Sequence, residues 1–334
     1  MSKSVYNIPI FVPHKGCPYD CVFCNQRRIT GSIKEVTPEN VRSIIRTALK
    51  TLPKNDRQVE AAFFGGSFTG IPIPEQSALL SAAAEFRDEL DGIRLSTRPD
   101  YINREILDNL LKYGVTTIEL GVQSMDPEVL KASNRGHTRE QVIEAVRLIR
   151  EYPFTLGLQM MTGLPGDTPE KSLKTADELI ALHPEIVRIY PTLTIKDTYL
   201  EKLYRLGRYQ PESLEEAVTL SKELLLRFEA NGIRVIRLGL QATEEICEEG
   251  SVVAGPVHSA FRELVESRIY YDILTEKLKG FRGNVTVFVN DKEFSKAVGN
   301  RRENIEKIKR EYGIDLKIKG NKELKKREVI CACC

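Results

Sequence analysis

The sequence predicts an α/β fold, a partial (β/α)6 TIM-like barrel followed by a small C-terminal α+β domain. Three observations carry that expectation. Short apolar strand-like runs alternate with amphipathic helical stretches through most of the chain, the order of a parallel sheet with helices packed outside it. Polar and glycine-rich residues recur at the ends of those runs, where barrel enzymes gather their chemistry. Past Gly280 the order becomes strand, turn, helix, strand, and the charge changes with it.

The runs come in order. Residues 8–12 form the first. Residues 59–64 end at Gly65-Gly66, 93–96 at Thr97-Arg98-Pro99, and 117–122 at Gln123-Ser124. Residues 155–161 end at Thr162-Gly163-Leu164-Pro165-Gly166, 186–190 end at Pro191-Thr192, and 233–238 close the series. Helical periodicity fills 75–90, 104–113, 139–152, 171–182 and the long 213–231. One such strand end is an ordinary turn; several at equivalent places around one sheet point to a shared site.

The 334 residues are 41% hydrophobic, enough for a sizeable core, and no run reaches the length of a membrane-spanning helix. Residues 1–12 show no cleavable signal pattern. Seven cysteines, an odd number in a chain this long, suit a reducing compartment better than a disulfide framework. The expectation is a soluble cytoplasmic protein without a membrane partner. The net charge of +2 hides an asymmetry, since residues 280–334 hold 14 Lys+Arg against 8 Asp+Glu and the rest 35 against 39. A basic module on a slightly acidic body faces polyanions, or is simply a solvated lysine-rich surface.

The most informative run is Gly16-Cys17-Pro18-Tyr19-Asp20-Cys21-Val22-Phe23-Cys24-Asn25. Its C-x3-C-x-aromatic-C spacing lets three thiolates grip three corners of a 4Fe-4S cubane and leaves the fourth iron open. An open position is built for chemistry rather than for holding a fold together. Zinc would want a fourth Cys or His, for which His14 is the nearby candidate. Position alone leaves iron and zinc open; ligand softness favours the cluster.

This run resembles the signature of the radical S-adenosylmethionine (SAM) superfamily. The resemblance implies that the open iron chelates SAM, and that one electron cleaves it to methionine and a 5′-deoxyadenosyl radical, with a small reducing protein such as ferredoxin or flavodoxin as donor. It also implies that Gly65 and Gly66 meet the SAM amino group through main-chain carbonyls. Ser67 stands where a Glu is commoner, which removes a carboxylate role but not the main-chain one. Five further segments are similar to the radical SAM domain of the Elongator subunit three family, a modifier of the tRNA wobble uridine. They are Leu95-Ser96-Thr97-Arg98-Pro99-Asp100-Tyr101, Glu119-Leu120-Gly121-Val122-Gln123-Ser124, Asn134-Arg135-Gly136-His137-Thr138, the run from Met160 through Gly163 to Glu170, and Ile189-Tyr190-Pro191-Thr192-Leu193. The likeness covers about residues 9–237. The cysteines are spaced more compactly than in that family, and nothing of the size of its acetyltransferase domain follows Leu240.

The site expected from this likeness has Cys17, Cys21 and Cys24 as metal ligands. Gly65, Gly66, Arg98, Gln123, Ser124 and Gly163 bind SAM, with the Arg98 fork suited to a carboxylate and Gly163 to adenine packing. Phe23 screens the cluster or packs in the core; Arg135 and His137 line the site or cap the next helix. No general acid or base stands out, so the catalytic residues are unknown. His258 faces the barrel mouth or is structural.

The expected domains are 1–240 (barrel), 241–280 (connecting helical segment), 281–320 (small basic domain) and 321–334 (cysteine-containing tail). In the third, Gly299-Asn300-Arg301-Arg302 before the helix 303–312 looks like a degenerate KH-type loop, which in RNA-binding modules clamps nucleotides. Gly313 is its expected C-cap. Cys247, Cys331, Cys333 and Cys334 bind a second metal or are uncommitted thiols. The reading is a radical SAM enzyme acting on RNA, with tRNA favoured. Its rivals are a porphyrin-handling protein of the coproporphyrinogen oxidase-like group and a non-catalytic iron-sulfur RNA-binding scaffold.

Overall fold

The computed structural model describes residues 4–12, 17, 20–25, 36–53, 55–240 and 251–332. The chain divides into two compact units, residues 1–212 with 227–256, and residues 213–226 with 257–334. In the first unit, β1 (Ser4–Phe11), β2 (Arg57–Phe64), β3 (Gly92–Thr97), β4 (Val115–Gln123), β5 (Thr155–Thr162) and β6 (Ile186–Pro191) lie side by side in chain order. Past a two-residue strand, β7 (Thr194–Ile195), β8 (Arg234–Leu238) completes a seven-stranded sheet in which every pairing is parallel, while β7 pairs antiparallel with β9 (Val252–Ala254). The sheet curls into a half-barrel, the partial barrel that the sequence predicts.

The crossovers are α1 (Pro38–Thr51), α2 (Ile73–Ala84), α3 (Arg104–Lys112), α4 (Pro127–Ala132), α5 (Arg139–Ile149) and α6 (Pro169–Ala181), followed by α7 (Tyr199–Arg205) and α8 (Leu214–Ala230). Thr37, Asn103, Thr138 and Thr168 cap four of them, each side chain accepting from the main-chain N–H three residues on. Thr138, paired with Gln141 in a capping box, is therefore the cap that Arg135 and His137 were candidates for. Alternation decides which face each strand buries. In β1, Ile8 and Ile10 are buried while Asn7, Pro9 and Phe11 are exposed.

The opposite face of the sheet carries a charged layer. Glu119 receives Arg188 through both Nε and Nη2, Arg94 Nη1 at 2.8 Å and Gln159 Nε2 at 3.1 Å, while Arg94 also reaches Glu60 at 2.5 Å. Two carboxylates and two guanidiniums cancel, so every charge of this layer has a partner. Burial pushes the Glu119 pKa up, but Arg188 and Arg94 more than offset it and hold the carboxyl below its usual range. Nothing local in the sequence marks this layer, because its hydrogen-bonded partners lie 25 to 69 residues apart.

The second unit has its own core. A three-stranded sheet runs β11 (Ile314–Asn321), β10 (Gly283–Asn290), β12 (Val329–Ala332), with β10 parallel to β11 and antiparallel to β12. Three helices accompany it: α9 (Phe261–Lys277), α10 (Phe294–Val298) and α11 (Glu303–Tyr312). Within the expected helical segment 241–280 the helix α9 reaches Lys277, because Tyr270, Tyr271 and Leu274 supply an apolar stripe packed with Val287, Ile308 and Ile318. The expected boundaries differ from these units: residues 213–226, expected in the barrel domain 1–240, fall in the second unit; of the connecting segment 241–280, the part up to 256 falls in the first unit and 257–280 in the second; and 281–320 and 321–334 share the second unit, the tail by strand β12. Cys331 sits in β12 opposite Val287, its thiol 3.8 Å from the Lys277 carbonyl. Cys247, Cys333 and Cys334 lie outside the described residues. Among the described residues no helix is long and apolar enough to cross a membrane.

Candidate active site

The cysteine run follows β1 and is clamped from two sides. The Val22 N–H donates to the Ser133 carbonyl at 3.1 Å and Asn134 Nδ2 to the Asp20 carbonyl at 2.9 Å. On the other side the Leu200 N–H donates to the Val22 carbonyl at 2.7 Å, and Asn25 Nδ2 to the Lys196 carbonyl at 3.3 Å. Val22, Leu200 and Tyr209 form a small apolar cluster, and Phe23 packs against it. Phe23 is thus a packing residue of the loop. The Cys24 N–H closes a turn onto the Cys21 carbonyl. Cys21 is buried; Cys17 and Cys24 are half-buried.

The strand ends converge on this loop. Gly65 has φ +88°, and a Cβ there would stand 3.1 Å from the Val12 carbonyl oxygen, so β2 can leave the sheet beside β1 only with glycine. Ser67, fully buried, bonds Thr97 Oγ1 at 2.9 Å and accepts from the Arg98 N–H, tying the end of β2 to that of β3. Arg98 sends its fork to both Asp100 oxygens at 2.9 Å and Nη2 to the Arg135 carbonyl at 2.7 Å. The β4–β5 register slips between Gly121 and Gln123, and Gln123 takes φ +68°, as bulges beside active sites do to re-aim a side chain. Its Oε1 is buried without a hydrogen-bond partner among the described residues. Ser124 turns the other way, toward Thr175 and the Asp126 N–H. Gly163 is held by the Tyr209 hydroxyl, which donates to its carbonyl at 2.7 Å, and by Asp167, which accepts from its N–H at 3.0 Å.

Sequence reasoning missed Gly121. A Cβ there would come within 2.9 Å of Arg135 Nη2 and 3.2 Å of Gln123 Nε2, so this glycine seats both side chains. The available signal was a glycine inside a strand, which marks close approach by a neighbour.

Electrostatics follow from this packing. Burial raises the Cys17 thiol pKa, against the lowering effect of Arg135 and Arg98. Burial, then the neighbouring thiols, push Cys24 up to about 12. Ligation by a cluster would release the protons of these thiols. Burial first, then Arg135 and Arg98, depress His137 to about 3, so its ring is neutral at ordinary pH. Among the described residues no three His, Cys, Asp or Glu groups converge as ligands of a single ion do. A cubane asks instead for thiolates spread over three corners. Thiols beside a buried cation, at the mouth of a parallel sheet with glycine-lined strand ends, fit such a cluster.

Comparison with known proteins agrees. The profile of the radical SAM superfamily matches residues 11–179 and that of the radical SAM C-terminal domain residues 184–271. A tRNA uridine(34) acetyltransferase of Dehalococcoides mccartyi is 29% identical over 232 residues, 58% of this chain and 50% of that protein. Elongator complex protein 3 of Homo sapiens is 36% identical over 137 residues, 40% of this chain and 25% of that protein. The chain thus spans a quarter to a half of the length of these curated relatives. The solved structure of archaeal Methanocaldococcus infernus Elp3, lacking its first 46 residues, shares the fold with a TM-score of 0.65 at 22% identity, covering 85% of this chain and 66% of that one. This chain belongs to the radical SAM superfamily, whose members are enzymes that work with a 4Fe-4S cluster and SAM.

Proposed function

We propose that this radical SAM enzyme acts on RNA, with tRNA the favoured class. The carrying observation is the clamped cysteine loop at the mouth of the half-barrel, with Cys17, Cys21 and Cys24 as the cluster ligands. When bound there, cluster and SAM supply one-electron cleavage of SAM to methionine and a 5′-deoxyadenosyl radical. Gly65 and Gly66 offer main-chain carbonyls to the SAM amino group. Gln123, with its buried unpaired oxygen, offers an acceptor to a ribose hydroxyl or an ammonium, and the Gly163 loop offers a flat wall to adenine. Arg98 and Ser124 hold these strand ends in place. The electron comes from a small reducing protein such as ferredoxin or flavodoxin, in the reducing cytoplasm.

Two features support RNA. The curated relatives include proteins named for tRNA uridine(34) acetylation. The second unit also carries a KH-like strand–helix–loop–helix–strand order, with Arg301 and Arg302 in the loop. Beside that loop a groove of about 560 Å³ is lined by Phe294, Val298, Arg302, Ile305, Lys309 and Ile318 among others. The floor is apolar and the rim carries Arg302, Lys309 and Lys317 against Glu306 and Asp315, a small basic excess that suits unstacked bases and their phosphates. Electrophoretic mobility shifts with bulk tRNA at two salt concentrations test this. Binding that weakens with salt, and weakens further in an Arg301→Ala/Arg302→Ala variant, is expected. Unchanged binding in that variant, or haem co-purifying with the protein, would contradict the reading.

A further inference from the structure

The interior of the cysteine site holds a cation, Arg135, that no carboxylate among the described residues pairs with. Arg135 is 6% exposed. Its Nη1 lies 3.5 Å from Cys21 Sγ, its Nη2 donates to the Gly121 carbonyl at 2.5 Å, and its Nε is buried without a hydrogen-bond partner among the described residues. No carboxylate of the described residues pairs with it, whereas the neighbouring Arg98 is neutralised by Asp100. A buried guanidinium without a counter-ion is costly, so the site is built around an anion yet to be supplied.

We propose that Arg135 is the fixed counter-charge of the cluster and sets how readily that cluster accepts its electron. This rests on the cluster reading of Cys17, Cys21 and Cys24. Three thiolates make the bound cluster anionic, and the incoming electron adds one further negative charge with no proton to offset it. A fixed positive charge against a ligand sulfur, shielded from water, stabilises the reduced form more than the oxidised one.

Three devices hold the charge in place. The Arg135 N–H donates to the Leu130 carbonyl at 2.9 Å. The Arg135 carbonyl accepts from Arg98 Nη2 at 2.7 Å. Gly121 lacks the Cβ that would stand 2.9 Å from Arg135 Nη2. Arg135 is a positioning residue in this sense: it acts on the cluster through a ligand and need not touch the substrate.

The test is a redox titration of the anaerobically reconstituted full chain, followed by electron paramagnetic resonance without SAM, for wild type, Arg135→Gln and Arg135→Lys. At a fixed potential the reduced-to-oxidised ratio should fall about tenfold in Arg135→Gln, about 59 mV for one electron. Arg135→Lys, which keeps the charge, should stay within about threefold of wild type. Equal shifts in both variants, or none in Arg135→Gln, would overturn the proposal. Iron and sulfide analysis covers failure to load. Loss of the cluster in Arg135→Gln but not in Arg135→Lys supports a charge role, and loss in both leaves only a packing role and overturns it. A wild type that holds no 4Fe-4S cluster would instead bring down the cluster reading itself.

Discussion

The Glu212 carboxylate occupies the place that a side chain on Gly163 would need: a Cβ on Gly163 would lie 2.8 Å from both Cδ and Oε2 of Glu212. Thr162 Oγ1 holds that carboxylate by donating to Oε2 at 3.0 Å, and Gly163 itself sits at φ +69°. The backbone favours glycine, and any side chain there would also have to displace the Glu212 carboxylate. Gly163→Ala should lower stability by about 1–3 kcal/mol and weaken SAM binding at least several-fold. Urea unfolding and equilibrium dialysis with SAM check the two parts. An unchanged SAM affinity would remove this loop from the site.

The buried charged layer of Arg94, Glu119 and Arg188 is a structural element. Glu119→Gln leaves Arg94 and Arg188 buried with half their compensation and should cost about 3–5 kcal/mol in urea unfolding. The folded pKa of Glu119 lies below its unfolded value. Its contribution is therefore present above the unfolded pKa near 4.5 and lost as pH falls below it. Wild type should lose more stability than Glu119→Gln over that acid range.

His137 gives a second pH dependence of the same sign. Its folded pKa is near 3 against 6.5 in the unfolded chain, so the unfolded state takes up a proton first as pH falls. Stability is complete above pH 6.5 and declines by roughly 1.4 kcal/mol per unit below it. In cluster-free protein, His137→Gln should flatten that part of the profile. An unchanged slope between pH 6 and pH 4 would show that His137 is not buried as a neutral ring.

The loop in the second unit separates binding from stability. Arg301 and Arg302 both adopt left-handed backbone, φ +49° and +67°, which costs a non-glycine residue about 1 kcal/mol each. Arg301→Gly/Arg302→Gly should therefore match or exceed wild type in thermal stability while binding RNA more weakly at low salt. A variant that loses stability instead would mean that the arginines hold the fold.

Much of this was legible in the chain. The strand–helix alternation, the glycine and polar strand ends and the C-x3-C-x2-C run are local signals, and each has a physical reason to sit where it does. The interior layer was not legible. Arg94, Glu119 and Arg188 read singly as exposed charges, and only parallel register brings them to one face. Arg98 illustrates the same limit. Its fork could be assigned to a carboxylate from sequence, but the carboxylate it holds is Asp100, two residues away. Arg135 looked like a cap because it stands just ahead of a helix. Its place against Cys21 depends on a contact across 114 residues.

The most direct measurement is anaerobic. The cluster is reconstituted in the full chain and reduced, SAM is added, and 5′-deoxyadenosine is quantified for wild type and Cys21→Ala. Production by wild type with bulk tRNA present, abolished in Cys21→Ala, is the predicted result. A wild type that carries four irons, binds SAM and tRNA, and still yields no 5′-deoxyadenosine would contradict the proposal that this chain performs radical chemistry on RNA.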